Sequence, residues 1–91
     1  MTIWKFSLPI DDTMFLSMPA GAKILSVQTQ DDEPMLWALV DPKAPTVKRS
    51  FVLRGTGHPM SYEDAALPFI GTFQMREGAL VFHLFDGGEA A

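Results

Sequence analysis

The chain has no cysteine, so disulfides and thiolate metal sites are excluded and the fold must stand on packing alone. Histidine is nearly absent too. His58 and His83 are the only imidazoles, and they are too far apart in sequence to form a close-spaced ligand pair, so no metal site is expected. Basic charge is scarce: seven Lys and Arg stand against eleven Asp and Glu, for a net charge of −4. Direct binding along a nucleic-acid backbone needs a broad basic field that releases counterions, and this composition argues against it. Long apolar runs are also missing. Nothing approaches the roughly 18 residues of a membrane-spanning helix, and the opening MTIWKFSLP has neither the apolar stretch nor the small-residue cleavage site of a signal peptide. The expectation is a cytoplasmic chain with no membrane contact.

What is present suits a small globular domain. Ninety-one residues, 47 % hydrophobic and 20 % charged, allow one core, so residues 1–91 read as a single domain. Aromatic residues make up 11 % of the chain, and each removes roughly 150–250 Å² from water when buried.

Apolar residues recur at every second position. Trp4, Phe6, Leu8 and Ile10 share one side of a first strand, and Met14, Leu16 and Met18 one side of a second. Leu25, Val27 and Thr29 do the same between Lys23 and Gln30. Gln30-Asp31-Asp32-Glu33-Pro34 marks a hairpin into Met35–Val40, whose apolar residues at every position, Trp37 among them, predict a central strand covered on both faces. After the Pro-rich loop Asp41–Pro45, a strand over Thr46–Arg54 follows. Ser61 is placed to cap one or two helical turns ending before Pro68. Phe69–Met75 and Ala79–Phe85 then form a last hairpin, with Gly78 at its left-handed position. Residues 86–91 have little to bury and are expected to fray.

The fold class is therefore all-β: a small antiparallel barrel or sandwich of six to seven strands with at most one short helix, most simply a meander. Phe15, Ile24, Leu36, Val40, Val52, Ile70, Val81 and Phe85 load the second face of the strands with apolar side chains. That face needs a cover, supplied by the other wall of the fold, the short helix, or a second subunit, and a homo-oligomer is expected.

Few residues offer chemistry. Arg54-Gly55-Thr56-Gly57-His58-Pro59 is the most unusual stretch, because its glycines let main-chain N–H groups approach an anion while Arg54, Thr56 and His58 supply donors. A plain tight turn accounts for the same residues, and the missing third glycine rules out a dinucleotide fingerprint. Lys48, Arg49 and Arg54 concentrate basic charge in one strand, either to meet a phosphate or to keep an edge solvated. The pairs Asp11-Asp12 and Asp31-Asp32 sit in turns, where neighbouring acids usually cap and solvate. No serine stands in a nucleophile elbow. The expectation is a non-enzymatic protein with no catalytic residues and no cofactor, binding through Arg54, Gly55, Thr56, Gly57 and His58.

The succession IWKF, AKILSVQTQ, LWALVDP, GTGHP, FIGTFQ and LVFHLF resembles a family of uncharacterised small proteins encoded by tailed phages and prophages, over Ile3 to Phe85. The resemblance implies a host-cell cytoplasmic setting and a counter-defence role, and it carries no catalytic residues. Two binding functions compete. In one, the chain sequesters a nucleotide-derived immune signal, a phosphorylated small molecule, at the Gly55–His58 turn. In the other, its acidic turns bind and inhibit a host defence protein such as a nuclease or a CRISPR-type complex. A structural or regulatory phage component is the third reading. The sequence favours sequestration, because a charge of −4 spread over several turns mimics nucleic acid weakly.

Overall fold

The computed structural model describes residues 1–90. Its strands are β1 (Thr2–Ser7), β2 (Thr13–Pro19), β3 (Lys23–Gln30), β4 (Glu33–Val40), β5 (Thr46–Gly55), β6 (Phe69–Met75) and β7 (Leu80–Glu89), with one helical turn, α1 (Tyr62–Ala65), before β6. All pairings are antiparallel. They build two sheets, β1-β4-β3 and β2-β5-β7-β6, so the fold is an all-β sandwich, as the alternation predicts. The simple meander does not hold. Only β3–β4 and β6–β7 pair as sequential hairpins, while β1 crosses to β4 and β2 to β5.

The hairpins follow from turn chemistry. Asp31 and Asp32 both take left-handed backbone, with φ of 53° and 60°, and acidic side chains tolerate that region better than most. The second hairpin places Gly78 at φ 87°, the expected left-handed glycine, and Arg76 and Glu77 also turn left-handed at 51° and 55°. Ser61 caps α1 by accepting from the Asp64 N–H at 3.0 Å.

The core lies between the sheets. Leu36, Ala38 and Val40 of β4 oppose Phe51 and Leu53 of β5 and Leu84 of β7, all almost fully buried. The sandwich interior thus takes Leu36 and Val40, with Ile24 and Ile70 packed against it, but Val52 and Phe85 lie on the face opposite Leu53 and Leu84, and Phe15 stays 58 % exposed. β4 departs from expectation. Its inward residues are buried, but Met35, Trp37 and Leu39 point out of the sandwich and are only half-buried, so the strand is covered on one face.

The sheets meet along β3 and β6, where a side chain at Gly71 would stand 3.1 Å from Val27. The opposite side, between the edge strands β1 and β2, is open. The expected frayed tail is instead part of β7. Arg49 pairs with Glu89 and Ser50 with Gly88, and a bulge at Gly87 absorbs the register change. Ala90 N–H donates to the Lys48 carbonyl at 2.8 Å, and Ala91 lies outside the described residues.

That C-terminal segment is fixed by a clamp. Arg49 donates through Nε (3.1 Å) and Nη2 (2.6 Å) to the two carboxylate oxygens of Asp86, and through Nη1 (2.6 Å) to the Ala22 carbonyl. Gly88 N–H adds a bond to Asp86 at 2.9 Å. Burial alone would raise the Asp86 pKa, but the Arg49 hydrogen bonds, the Gly88 N–H and the Arg49 charge outweigh it and hold the carboxyl below its ordinary value. Arg49 is therefore a structural cation, removed from any ligand-binding role.

Candidate functional site

Strand alternation separates the residues that the sequence groups together. Arg54 pairs across with His83, and Gly55 with Phe82, so the two neighbours face opposite sides of the sheet. Arg54 Nη1 donates to the carbonyls of Asp12 (2.7 Å) and Leu53 (2.8 Å), and Nη2 reaches Asp64 of α1 at 3.3 Å. The guanidinium ties the β1–β2 loop and the helical turn to β5, and few donors are left for a ligand.

The expected anion nest is also partly spent. His58 N–H closes the turn onto the Gly55 carbonyl at 3.1 Å, and Thr56 N–H donates to the Val81 carbonyl at 3.2 Å. The Thr56 hydroxyl meets His83 Nε2 at 2.7 Å, while the Thr72 hydroxyl meets Nδ1 at 2.9 Å. Both ring nitrogens therefore have a hydroxyl partner, and the tautomer decides which threonine donates. His83 is thus a satisfied hydrogen-bonded histidine on the face opposite Leu84.

His58 is placed differently. A side chain at Gly55 would come within 3.0 Å of its ring, so the glycine is what lets the imidazole lie against the strand. Two shallow clefts open on either side. One, of about 200 Å³, is bordered by Ile10, Asp11, Asp12, Leu53, Gly55, His58 and Phe82. The other, of about 260 Å³, runs along Thr56 and Ala79–Phe82. Of the five expected ligand residues, Gly55 and His58 line both clefts and Thr56 lines the second, whereas Arg54 and Gly57 line neither. Asp11 and Asp12 are the additions, brought in by the β1–β2 loop. Only the fold brings them there: the Leu53 N–H bonds the Asp12 carbonyl at 3.0 Å, and the Leu8 N–H bonds the Pro34 carbonyl at 3.1 Å.

The same contacts gather four loops at one end of the sandwich. Arg76 N–H donates to Asp32 Oδ1 at 2.7 Å, joining the two hairpin tips. Arg54 joins the β1–β2 loop to α1. Asp11, Asp12, Asp31, Asp32, Glu33 and Glu77 are all exposed there, with Glu63 and Asp64 on the adjoining turn. These eight of the eleven carboxylates face only Lys5, Arg54 and Arg76, a local balance of −5 that leaves the remainder of the molecule at +1. The net charge of −4 is thus strongly segregated. No sequence spacing announces this, because the contributing turns lie far apart along the chain.

Among the described residues no group of three or more His, Cys, Asp or Glu side chains is arranged to hold a metal ion, and no helix is long and apolar enough to cross a membrane. No curated protein and no solved structure matches the chain. The whole sequence, residues 1–91, does match a family described as a domain of unknown function, DUF7352, and the chain belongs to that family.

Proposed function

We propose that this chain is a non-enzymatic binding protein that works through its acidic end, docking on the basic face of a protein partner. The observation that supports this is the convergence of Asp11 and Asp12 with the cleft at His58, next to the clustered tips at Asp31, Asp32 and Glu77. The cleft is apolar at Ile10, Leu53 and Phe82 and carboxylate-bordered on one side. That combination suits an arginine or lysine, whose aliphatic stem packs while its charge meets the acids. The surrounding field steers a basic surface toward this end. In a cell, such a surface belongs to proteins that themselves hold nucleic acid, so inhibition of a nuclease-like host protein is the role this reading favours.

Sequestration of a phosphorylated ligand has less support than the sequence alone gave it. Phosphate would meet Asp11 and Asp12 in one cleft, and Arg54 is engaged with Asp12, Leu53 and Asp64. The test is charge reversal at Asp11/Asp12 and at Asp31/Asp32. A partner retained from a lysate of the source cells and then purified should bind in a salt-dependent way. Each reversed pair should weaken it by about tenfold, and duplex DNA should compete. Binding indifferent to salt and to both reversals refutes the proposal. A phosphorylated nucleotide released by heating the purified protein, and lost in Arg54→Ala, would establish sequestration in its place.

A further inference from the structure

β1 is an edge strand, and its hydrogen-bonding phase can be read from one contact. Leu8 N–H bonds the carbonyl of Pro34, directly opposite it in the β1–β4 register. Directly opposed residues in an antiparallel ladder alternate between bonded and non-bonded pairs. Trp4 and Phe6 therefore turn their main-chain groups to β4, and Ile3, Lys5 and Ser7 turn theirs outward. Edges of this kind are normally blunted by lysine. Here the Lys5 ammonium folds back across the sheet to Gln30 of β3, at 2.8 Å, away from the edge. Apolar surface flanks the strand on both faces: Ile3 is 58 % exposed and Trp4, beside Phe6, is 40 % exposed on the side the second sheet leaves open.

We propose that β1 pairs with β1 of a second copy of this chain, antiparallel, about a two-fold axis through Trp4. Any axis centred on a residue of β1 brings outward-pointing residues opposite one another; one at Phe6 sets Ile3 against Pro9, which has no N–H to donate, and one at Thr2 or Ser7 pairs only an end of the strand. An axis at Lys5 sets two ammonium-bearing stems side by side, which is unfavourable. An axis at Ile3 leaves Phe6 and Ser7 unpaired. An axis at Trp4 places Ile3 of each copy opposite Lys5 of the other, where they exchange N–H···O bonds, and Thr2 opposite Phe6. The two indoles then meet at the closer, non-hydrogen-bonded position. The three-stranded sheet becomes six-stranded across the dyad, and the exposed indoles are covered. β2 also has an outward edge, with Phe15 on it, but Pro19 removes a donor from its end. This inference does not depend on the acidic end, which lies at the strand ends and not along the β1 edge.

Because the chain has no cysteine, single-cysteine variants report the register directly. Trp4→Cys should form an intermolecular disulfide under mild oxidation, because opposed non-bonded residues sit about 4.5 Å apart at Cα, within disulfide reach. Ile3→Cys and Lys5→Cys should not, since like residues are then separated by two positions along the strand. On the unmodified protein, light scattering should show the mass doubling with concentration. Hydrogen exchange should show the Ile3 and Lys5 amides gaining protection in parallel, while Trp4 and Phe6 are protected throughout. A mass of one chain at high micromolar concentration overturns the proposal. Protection gained at Phe15 and Ser17 instead, or a disulfide formed only by Phe15→Cys, overturns it in favour of β2.

Discussion

Asp86→Ala is the substitution with the most consequence for so small a domain. It removes two hydrogen bonds from Arg49, at 3.1 and 2.6 Å, and the acceptor of the Gly88 N–H at 2.9 Å. Arg49 is left with the Ala22 carbonyl alone, its side chain 14 % exposed. Breaking a buried pair by deleting one partner costs about 3–5 kcal/mol, and the residual solvent contact places this case near the lower end, about 3 kcal/mol. That is a sizeable share of the roughly 5–15 kcal/mol holding a domain folded. Urea unfolding at neutral pH reads the loss. Asp86→Leu with Arg49→Met should recover much of it, because the stranded charge is then gone as well.

The pH dependence has a definite sign. Asp86 has a lowered pKa in the folded protein, so the unfolded state binds more protons in the acidic range and stability rises with pH there. The contribution is fully present above the ordinary carboxyl value of 3.8 and is lost as pH falls through the lower folded value. The gap between wild type and Asp86→Asn should therefore narrow below about pH 4. A cost under about 1 kcal/mol for Asp86→Ala, or a double variant as unstable as the sum of its singles, would show that the clamp contributes little.

Gly87→Ala should destabilise by about 1–3 kcal/mol in the same assay. Its Cβ would run into Ser50 Oγ and stand 3.0 Å from the Ser50 carbonyl oxygen, so adding Ser50→Ala should rescue only the first clash. Leu36→Ala should cost about 2–5 kcal/mol as a cavity in the fully buried core, whereas Trp37→Ala should cost about 1–2 kcal/mol because its side chain is only half-buried; equal losses would place Trp37 in the core after all. Gly78→Ala, at φ 87°, should cost about 1 kcal/mol without moving the register, checked by unfolding and by strand amide exchange.

Local rules account for most of the strand assignment. Alternation at Trp4–Leu8 and Met14–Met18 locates two strands because each has one face toward apolar neighbours; β3 is located too, but a bulge between Ile24 and Ser26 takes Leu25 off the face of Val27 and leaves it 42 % exposed, with Ile24 packed inward instead. Ser61 and Gly78 are legible for the same reason, since a cap and a left-handed turn are settled within a few residues. Trp37 reads as core and lies half-buried, because a continuous apolar run does not reveal how many layers cover it. β7 extends past Phe85 because of a long-range ion pair, and Asp86-Gly87-Gly88 has no local strand signal to announce it. The candidate site is hidden in an analogous way. Arg54 and His58 look adjacent in sequence, yet alternation and the Asp64 contact turn the guanidinium away. Asp11 and Asp12 reach the cleft only through the Leu53 and Pro34 contacts, and no local rule forecasts those.

The crossed pairing of the strands also orders events in time. Everything needed for the sheet β1-β4-β3 is contained in the first 40 residues. β2, embedded in that same stretch, has no partner until β5 follows it. A chain emerging from its N-terminus thus carries Met14, Leu16 and Met18 as an unpaired apolar strand while its neighbours already have theirs. β5 in turn stays unclosed on its other side until β7 supplies Leu84 and Asp86. Non-local pairings of this kind slow folding, typically to milliseconds or longer. They also make β2 the segment most exposed to wrong partners during that interval.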